Sequence, residues 1–184
     1  VKNAAEFRFD YQIPVGSLCK LVDPYQNRAS IKSVKLYSDP SKTSDMRDKY
    51  KSRGAKKPII GISWQGGGRP DRVNIKSIKL SAIMQYFQKN ISGVTWLSLQ
   101  YGDDGPHLKT LKEKFDIDVI HDSEVEPLKD MDTWLSQVDT CDAVVTIANT
   151  TVHGAAGLGK PTFVLLSQKS DWRWIRDDSL ESSY

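Results

Sequence analysis

Asn149, Thr150 and Thr151 stand between an apolar run, AVVTIA (Ala143–Ala148), and a run of small residues, VHGAAGLG (Val152–Gly159). Asn and Thr are favoured helix N-caps, because a side-chain oxygen accepts from backbone N–H groups that the first helical turn leaves without partners. Those same N–H groups, at the positive end of the helix dipole, bind anions and phosphate above all. The expectation is a strand, a tight turn and a helix able to hold a phosphate, although a merely well-capped helix would use the same residues. Gly159-Lys160-Pro161 ends the helix and sends the chain into another apolar run, TFVLLS (Thr162–Ser167), as Gly closes helices and Pro cannot continue them.

Gly66-Gly67-Gly68 follow the apolar run PIIGISW (Pro58–Trp64). Glycine lets backbone approach a ligand closely, and Arg69, Arg72 and Lys76 bring cations to the same strand end. With the Thr150 helix start they could clamp a diphosphate, though such cations are commonly only solvated. The triplet matches neither GxGxxG nor a P-loop, since no Gly-Lys-Ser/Thr follows. His153 falls one turn into the helix, on the side of Thr150. There it could donate to a phosphate oxygen or, as a cation, neutralise leaving-group charge; a lone helical His is more often structural. Asp171-Trp172-Arg173-Trp174 follows the last apolar run and offers rings that could stack on a base or sugar, or plug a domain edge.

The elements that must position these residues alternate from Pro58 onward. Strands are expected at Pro58–Trp64, Val94–Gln100, Ile117–His121, Ala143–Ala148 and Thr162–Ser167. Apolar residues at helical spacing place helices on Leu80–Asn90, Pro106–Phe115 and Leu128–Thr140. The strands are continuous apolar runs, which indicates burial on both faces, and single helices between them imply parallel pairing. The expected fold is an α/β, doubly wound, Rossmann-like parallel sheet of five or more strands. In such sheets ligands bind at the carboxyl ends of the strands, which selects the loops Gln65–Asn74, Tyr101–Gly105 and Asn149–Val152. Residues 1–57 break the pattern: Tyr11–Leu18 reads as a loop entering a short helix, and Asp39-Pro40 starts a charged helix, Ser41–Arg53. They read as the trailing edge of a preceding domain plus a connecting helix, with the Rossmann-like domain on 58–184 and cut short at its C-terminus.

Composition excludes several classes. Hydrophobic residues make up 39% and charged residues 27%, the balance of an ordinary globular protein. No apolar run approaches the ~18 residues of a membrane span, and the first residues lack a signal peptide's apolar centre; a cytoplasmic protein is expected. The net charge is +3, and the basic stretch Arg47, Lys49, Lys51, Arg53, Lys56, Lys57 carries Asp45 and Asp48 within it and lacks interleaved aromatics. It reads as a solvated helix face, not a nucleic-acid surface. Cys19 and Cys141 give neither a disulfide framework nor zinc spacing, and Cys141, beside an apolar strand, reads as packing. No DxD-like or His/Cys cluster suggests a metal.

The combination GISWQGGG, SLQYGD, NTTVHGAAGLGKPTFVLL and DWRW, in this order, resembles the catalytic region of bacterial tetratricopeptide-repeat glycosyltransferases. These are similar to the heptosyltransferases of glycosyltransferase family 9 and, more distantly, to O-linked N-acetylglucosamine transferases. The resemblance covers about Tyr11–Tyr184 and implies the C-terminal, donor-binding half of a GT-B fold. It implies that Asn149, Thr150, Thr151, Lys76, Gly66, Gly67 and Gly68 bind a donor diphosphate, with His153 assisting. Gln100 and Tyr101 match the strand end near the nucleoside. Tyr11–Leu18 resembles the acceptor-side loop, where Asp10 is a candidate base. The implied reaction is inverting transfer from a nucleoside-diphosphate sugar to an acceptor (a polysaccharide, lipid-linked glycan or protein), without cofactor or metal. Tetratricopeptide repeats would lie upstream. The resemblance also implies a fragment, inactive by itself. One departure stands out: many heptosyltransferase-type relatives have Asp where this chain has Ala148. A catalytically silent module of the same fold and a GT-B nucleotide-sugar epimerase are the alternatives.

Overall fold

The computed structural model describes residues 35–68 and 75–167, together with 10–14, 17, 18, 21, 73 and 174. By contacts the chain divides into Val1–Ser33, with Ser183, and Val34–Ser182, with Tyr184. The second unit carries the elements described below. The expected contributions of Cys19, Arg69, Arg72, Asp171, Trp172 and Arg173 lie outside the described residues.

The second unit opens with α1 (Pro40–Ser52). Asp39 caps it by accepting from the N–H groups of Ser41 and Lys42, and Pro40 occupies the first turn, where its missing N–H costs nothing. Then come β1 (Ile59–Ile62), α2 (Leu80–Asn90), β2 (Thr95–Ser98), α3 (Gly105–Phe115), α4 (Met131–Asp139), β3 (Ala143–Ile147), α5 (Thr150–Gly157) and β4 (Thr162–Leu165). All pairings are parallel, in the order β2-β1-β3-β4. Ile60 of β1 pairs with Trp96 on one side and Ala143 on the other, so β1 is central and both its faces must be covered.

Two apolar clusters cover them. On one face Tyr50, Trp134, Val138 and Ala155 from α1, α4 and α5 meet Ile59, Leu97, Leu99 and Val144. On the other Leu80, Met84 and Leu111 from α2 and α3 meet Ile62, Trp64, Trp96 and Ile117. The fold is the doubly wound, Rossmann-like α/β sheet expected from the strand pattern. Among the described residues no helix is long and apolar enough to cross a membrane.

Three features differ from the sequence expectation. The expected strand Ile117–His121 narrows to a single parallel bridge, Leu97↔Ile120, made by Ser98 N–H to Ile120 O and Ile120 N–H to Trp96 O, both 2.8 Å. Its first half is taken by the exit of α3: Asp116 closes the helix at φ 50, and Lys112 Nζ holds Asp116 and Asp118, each at 2.7 Å. The bridge still sets Ile120 beside β2, outside β1, so the progression of a doubly wound sheet is kept. Helix α4 starts at Met131 instead of Leu128, because Asp130 caps it through Thr133 N–H. Strand β4 is not buried on both faces: Phe163 is 62% exposed, as befits the sheet's edge position.

By contacts α1 falls within the second unit. Tyr50 is fully buried. Its hydroxyl donates to Asp122 Oδ2 at 2.9 Å and accepts from Gln137 Nε2 at 3.0 Å. Burial pushes the Tyr50 phenol well above its ordinary value. Lys49 Nζ bonds Asp122 and Glu124, Arg53 donates to His121 O, and Arg47 donates to Asp139 O. Much of the basic stretch therefore pins α1 to the sheet's flank. Cys141 is buried, and burial pushes its thiol up to about 12, which suits packing and not nucleophilic work.

Candidate functional site

The carboxyl ends of the strands surround a cavity of about 390 Å³. Its lining brings together Gly66 and Gly67 after β1, Lys76, Tyr101 after β2, and Ala148, Asn149, Thr150 and Thr151 after β3. The opposite side is formed by Leu99, Pro127, Leu128, Met131 and Trp134. The Trp134 ring is buried, and its indole N–H has no hydrogen-bond partner among the described residues.

Helix α5 begins at the cavity because β3 ends there. Asn149 is its N-cap, with Oδ1 accepting from Thr151 N–H at 2.9 Å and from the Thr146 hydroxyl at 3.0 Å. Its Nδ2 donates to Ser63 Oγ at 2.8 Å and reaches Gln65 O at 3.5 Å. Asn149 therefore spends its amide on holding the turn, and the exposed Thr150 hydroxyl is the one at the cavity mouth. The helix lies close on α4 because residue 154 has no side chain: a Cβ there would come within 2.8 Å of Trp134 Cη2.

The glycine loop is shaped by its neighbours. Ile78 N–H returns to Trp64 O at 2.9 Å, and Gly66 N–H donates to Ser77 Oγ at 3.2 Å. This brings Lys76 back beside Gly66, where a Cβ would lie 3.2 Å from Lys76 Cβ. A Cβ on Gly67 would come within 2.7 Å of the Tyr101 hydroxyl oxygen, so the loop's lack of side chains is what lets Tyr101 close over it. Burial pushes the Tyr101 phenol up from its ordinary value, which keeps the hydroxyl protonated as a donor. Gly68 lies at φ +116 in open space; its need for glycine is conformational, and it does not line the cavity.

Besides Gly68, the candidates Gln100 and His153 are not among the cavity-lining residues. Gln100 is buried and its amide turns inward: Oε1 accepts from Trp64 N–H, Gln65 N–H and Ser63 Oγ, and Nε2 donates to Gln65 O and Tyr101 O. It braces the glycine loop where the sequence suggested a nucleoside contact. His153 is exposed and stacks on Trp174, with ring centroids 6.1 Å apart and planes at 19°. Trp174 itself is buried. Asp10 is exposed and belongs to the first unit. The wall of Pro127, Leu128 and Met131 was not anticipated. Its signal in the sequence is Pro127 and Leu128 ahead of the Asp130 cap and Met131 just after it, a pattern that an ordinary helix entry shares.

The arrangement suits an elongated ligand with an anionic part and an apolar, flat part. A lysine, a hydroxyl and a helix N-terminus border one side, and carbon-rich side chains border the other.

No protein-family model matches the chain. Protein FlbA of Caulobacter vibrioides is 24% identical over 178 residues, 92% of this chain and 27% of that protein. A crystal structure of the glycosyl transferase family 9 from Veillonella parvula DSM 2008 superposes with a TM-score of 0.57 at 14% identity, covering 74% of this chain and 38% of that one. The chain thus spans 27% of the length of the curated relative and 38% of the solved one. The structural likeness is one of fold: a glycosyltransferase-like, Rossmann-type α/β unit.

Proposed function

We propose that this unit is the donor-binding half of an inverting GT-B glycosyltransferase, and that the cavity holds the diphosphate of a nucleotide-sugar. The observation that carries the reading is convergence: Gly66, Gly67, Lys76, Tyr101, Thr150 and Thr151 come from loops far apart in sequence and line one cavity. The Lys76 ammonium, the Thr150 hydroxyl and the first-turn N–H groups of α5 would stabilise the diphosphate as it departs, concentrating donors where negative charge grows. Pro127, Leu128 and Met131 would take the base by apolar contact. The acceptor would be bound by the rest of a longer protein, and Asp10, in the first unit, is the candidate base that this chain itself carries. His153, stacked on Trp174, would support the start of α5 from outside the cavity.

Ala148 favours a second reading. It lines the cavity at the position where the resemblance to heptosyltransferases implies Asp in many relatives, so a module that binds nucleotide without turnover fits the same walls. The epimerase reading has no observation in its favour.

The test is a thermal-shift series on the intact protein with ADP-, UDP- and GDP-linked sugars, followed by transfer and hydrolysis assays. The expected outcome is a shift with at least one donor and turnover of it, both lost in the Lys76→Ala/Thr150→Ala double variant. A shift without turnover selects the silent module, and no shift with any donor overturns both readings.

A further inference from the structure

The hydrogen bonds around the cavity form one continuous chain. Asn149 Nδ2 donates to Ser63 Oγ at 2.8 Å, and the Ser63 hydroxyl donates onward to Gln100 Oε1 at 3.3 Å. At one end Asn149 Oδ1 caps α5 through Thr151 N–H. At the other, Gln100 Oε1 also holds the N–H groups of Trp64 and Gln65, just before the glycine loop. Ser63 and Gln100 are both buried and neither lines the cavity. Every donor in this chain has an acceptor, and each link polarises the next.

From this we infer that Ser63 and Gln100 are positioning residues, which lock the glycine loop and the α5 N-terminus into one preorganised surface. The two segments are 84 residues apart where Asn149 reaches Gln65, and no covalent neighbour ties them. Pairing of β1 with β3 brings them side by side as far as Ser63 N–H to Val145 O, and beyond that point the side-chain relay and the Asn149–Gln65 contact join them. A ligand that touches either segment then meets the other already in place and need not order it, which is where preorganised sites gain affinity. The inference concerns the same surface as the proposed donor site and rests on that reading only for what the surface holds.

The relay is tested without ligand, by hydrogen–deuterium exchange of the intact protein carrying Ser63→Ala or, separately, Gln100→Leu. Each variant removes a link but leaves Asn149, the acceptor for Thr151 N–H, in place. The expected result is exchange at Thr151 roughly tenfold faster in both variants, the scale of one lost buried hydrogen bond, with Leu80–Asn90 unchanged. Ser63→Thr, which keeps the hydroxyl, should restore the wild-type rate. Acceleration confined to Trp64 and Gln65, or a uniform acceleration that Ser63→Thr does not reverse, overturns the relay. A second arm titrates inorganic pyrophosphate, expected to bind about tenfold more weakly to both variants than to wild type. Failure of wild type to bind it would count against the diphosphate reading while the exchange result stands on its own. Equal binding by all three would overturn the positioning role.

Discussion

The wall of the cavity that carries Gly66, Gly67 and Asn149 is tied by hydrogen bonds spanning 35, 36 and 86 residues. Around Pro127, Leu128 and Met131 the bonds are short-range: Leu128 N–H to Glu126 Oε1, Lys129 and Asp130 N–H to Glu126 O, and Val125 N–H to Asp122 O. Leu128 and Met131 are 76% and 48% exposed, while Ser63 and Gln100 are buried. The first wall exists only when the sheet is folded and its geometry is fixed with it. The second is anchored at its base, where Lys49 and Tyr50 of α1 hold Asp122 and Glu124, but its exposed Leu128 and Met131 side chains can adjust. A rigid polar wall facing an adaptable apolar one suits a ligand whose anionic part is constant and whose flat part needs only contact.

The largest expected effect falls on the rigid wall. Lys76→Ala with Thr150→Ala should weaken nucleoside diphosphate and pyrophosphate alike, by roughly 100-fold, since two charge-assisted bonds go; isothermal titration measures both. Next is the seam where the walls meet. Gly154→Ala forces a methyl against Trp134 Cη2 and Cζ3, at 2.8 and 2.9 Å, and should cost about 1–3 kcal/mol of stability by overpacking, read from chemical denaturation. On the adaptable wall, Leu128→Ala with Met131→Ala should reduce nucleoside diphosphate affinity by about tenfold and leave pyrophosphate binding unchanged. Equal loss for both probes would mean that the walls do not divide the ligand as described.

The smallest effect is acid sensitivity under the adaptable wall. Burial works against ionisation of Asp122, but bonds from Lys49, the Tyr50 hydroxyl and Glu124 N–H outweigh it and hold the carboxyl below its ordinary range. A depressed carboxylate contributes stability that is present above its unfolded value, near pH 4, and is lost as pH falls through the folded value. Asp122→Asn should therefore flatten the stability profile below about pH 4 and lower stability at neutral pH. Because Tyr50 also holds Gln137 near the C-terminal end of α4, exchange in the last turn of α4 should rise with acid before exchange at Thr151 does.

Much of this was legible in the sequence, for identifiable reasons. Continuous apolar runs separated by single helices specify a parallel sheet, and a parallel sheet specifies which loops share an end. Gly66, Gly67, Lys76, Asn149, Thr150 and Thr151 were named on that basis, and the cavity collects them. What was not legible depends on tertiary partners. Nothing local to Gln100 shows that Trp64 and Gln65 will claim its oxygen. Helical spacing puts His153 on the side of Thr150, but its ring also stacks on Trp174, from a segment beyond β4. Tyr50 sits in a charged helix whose apolar content is low, yet that one ring reaches the core. The strand at Ile117–His121 was judged by its β-branched residues, while Asp116 and Asp118 were being drawn to Lys112.

The central claim, that this cavity is a nucleotide-diphosphate site, is tested most directly by a hydrogen-exchange footprint. The intact protein is compared with and without the nucleoside diphosphate that gives the largest thermal shift. The account predicts protection on both walls together, at Gly66 and Gly67, at Thr150–Val152, and at Leu128–Met131, with Leu80–Asn90 unaffected. Binding that leaves these segments unprotected would contradict it.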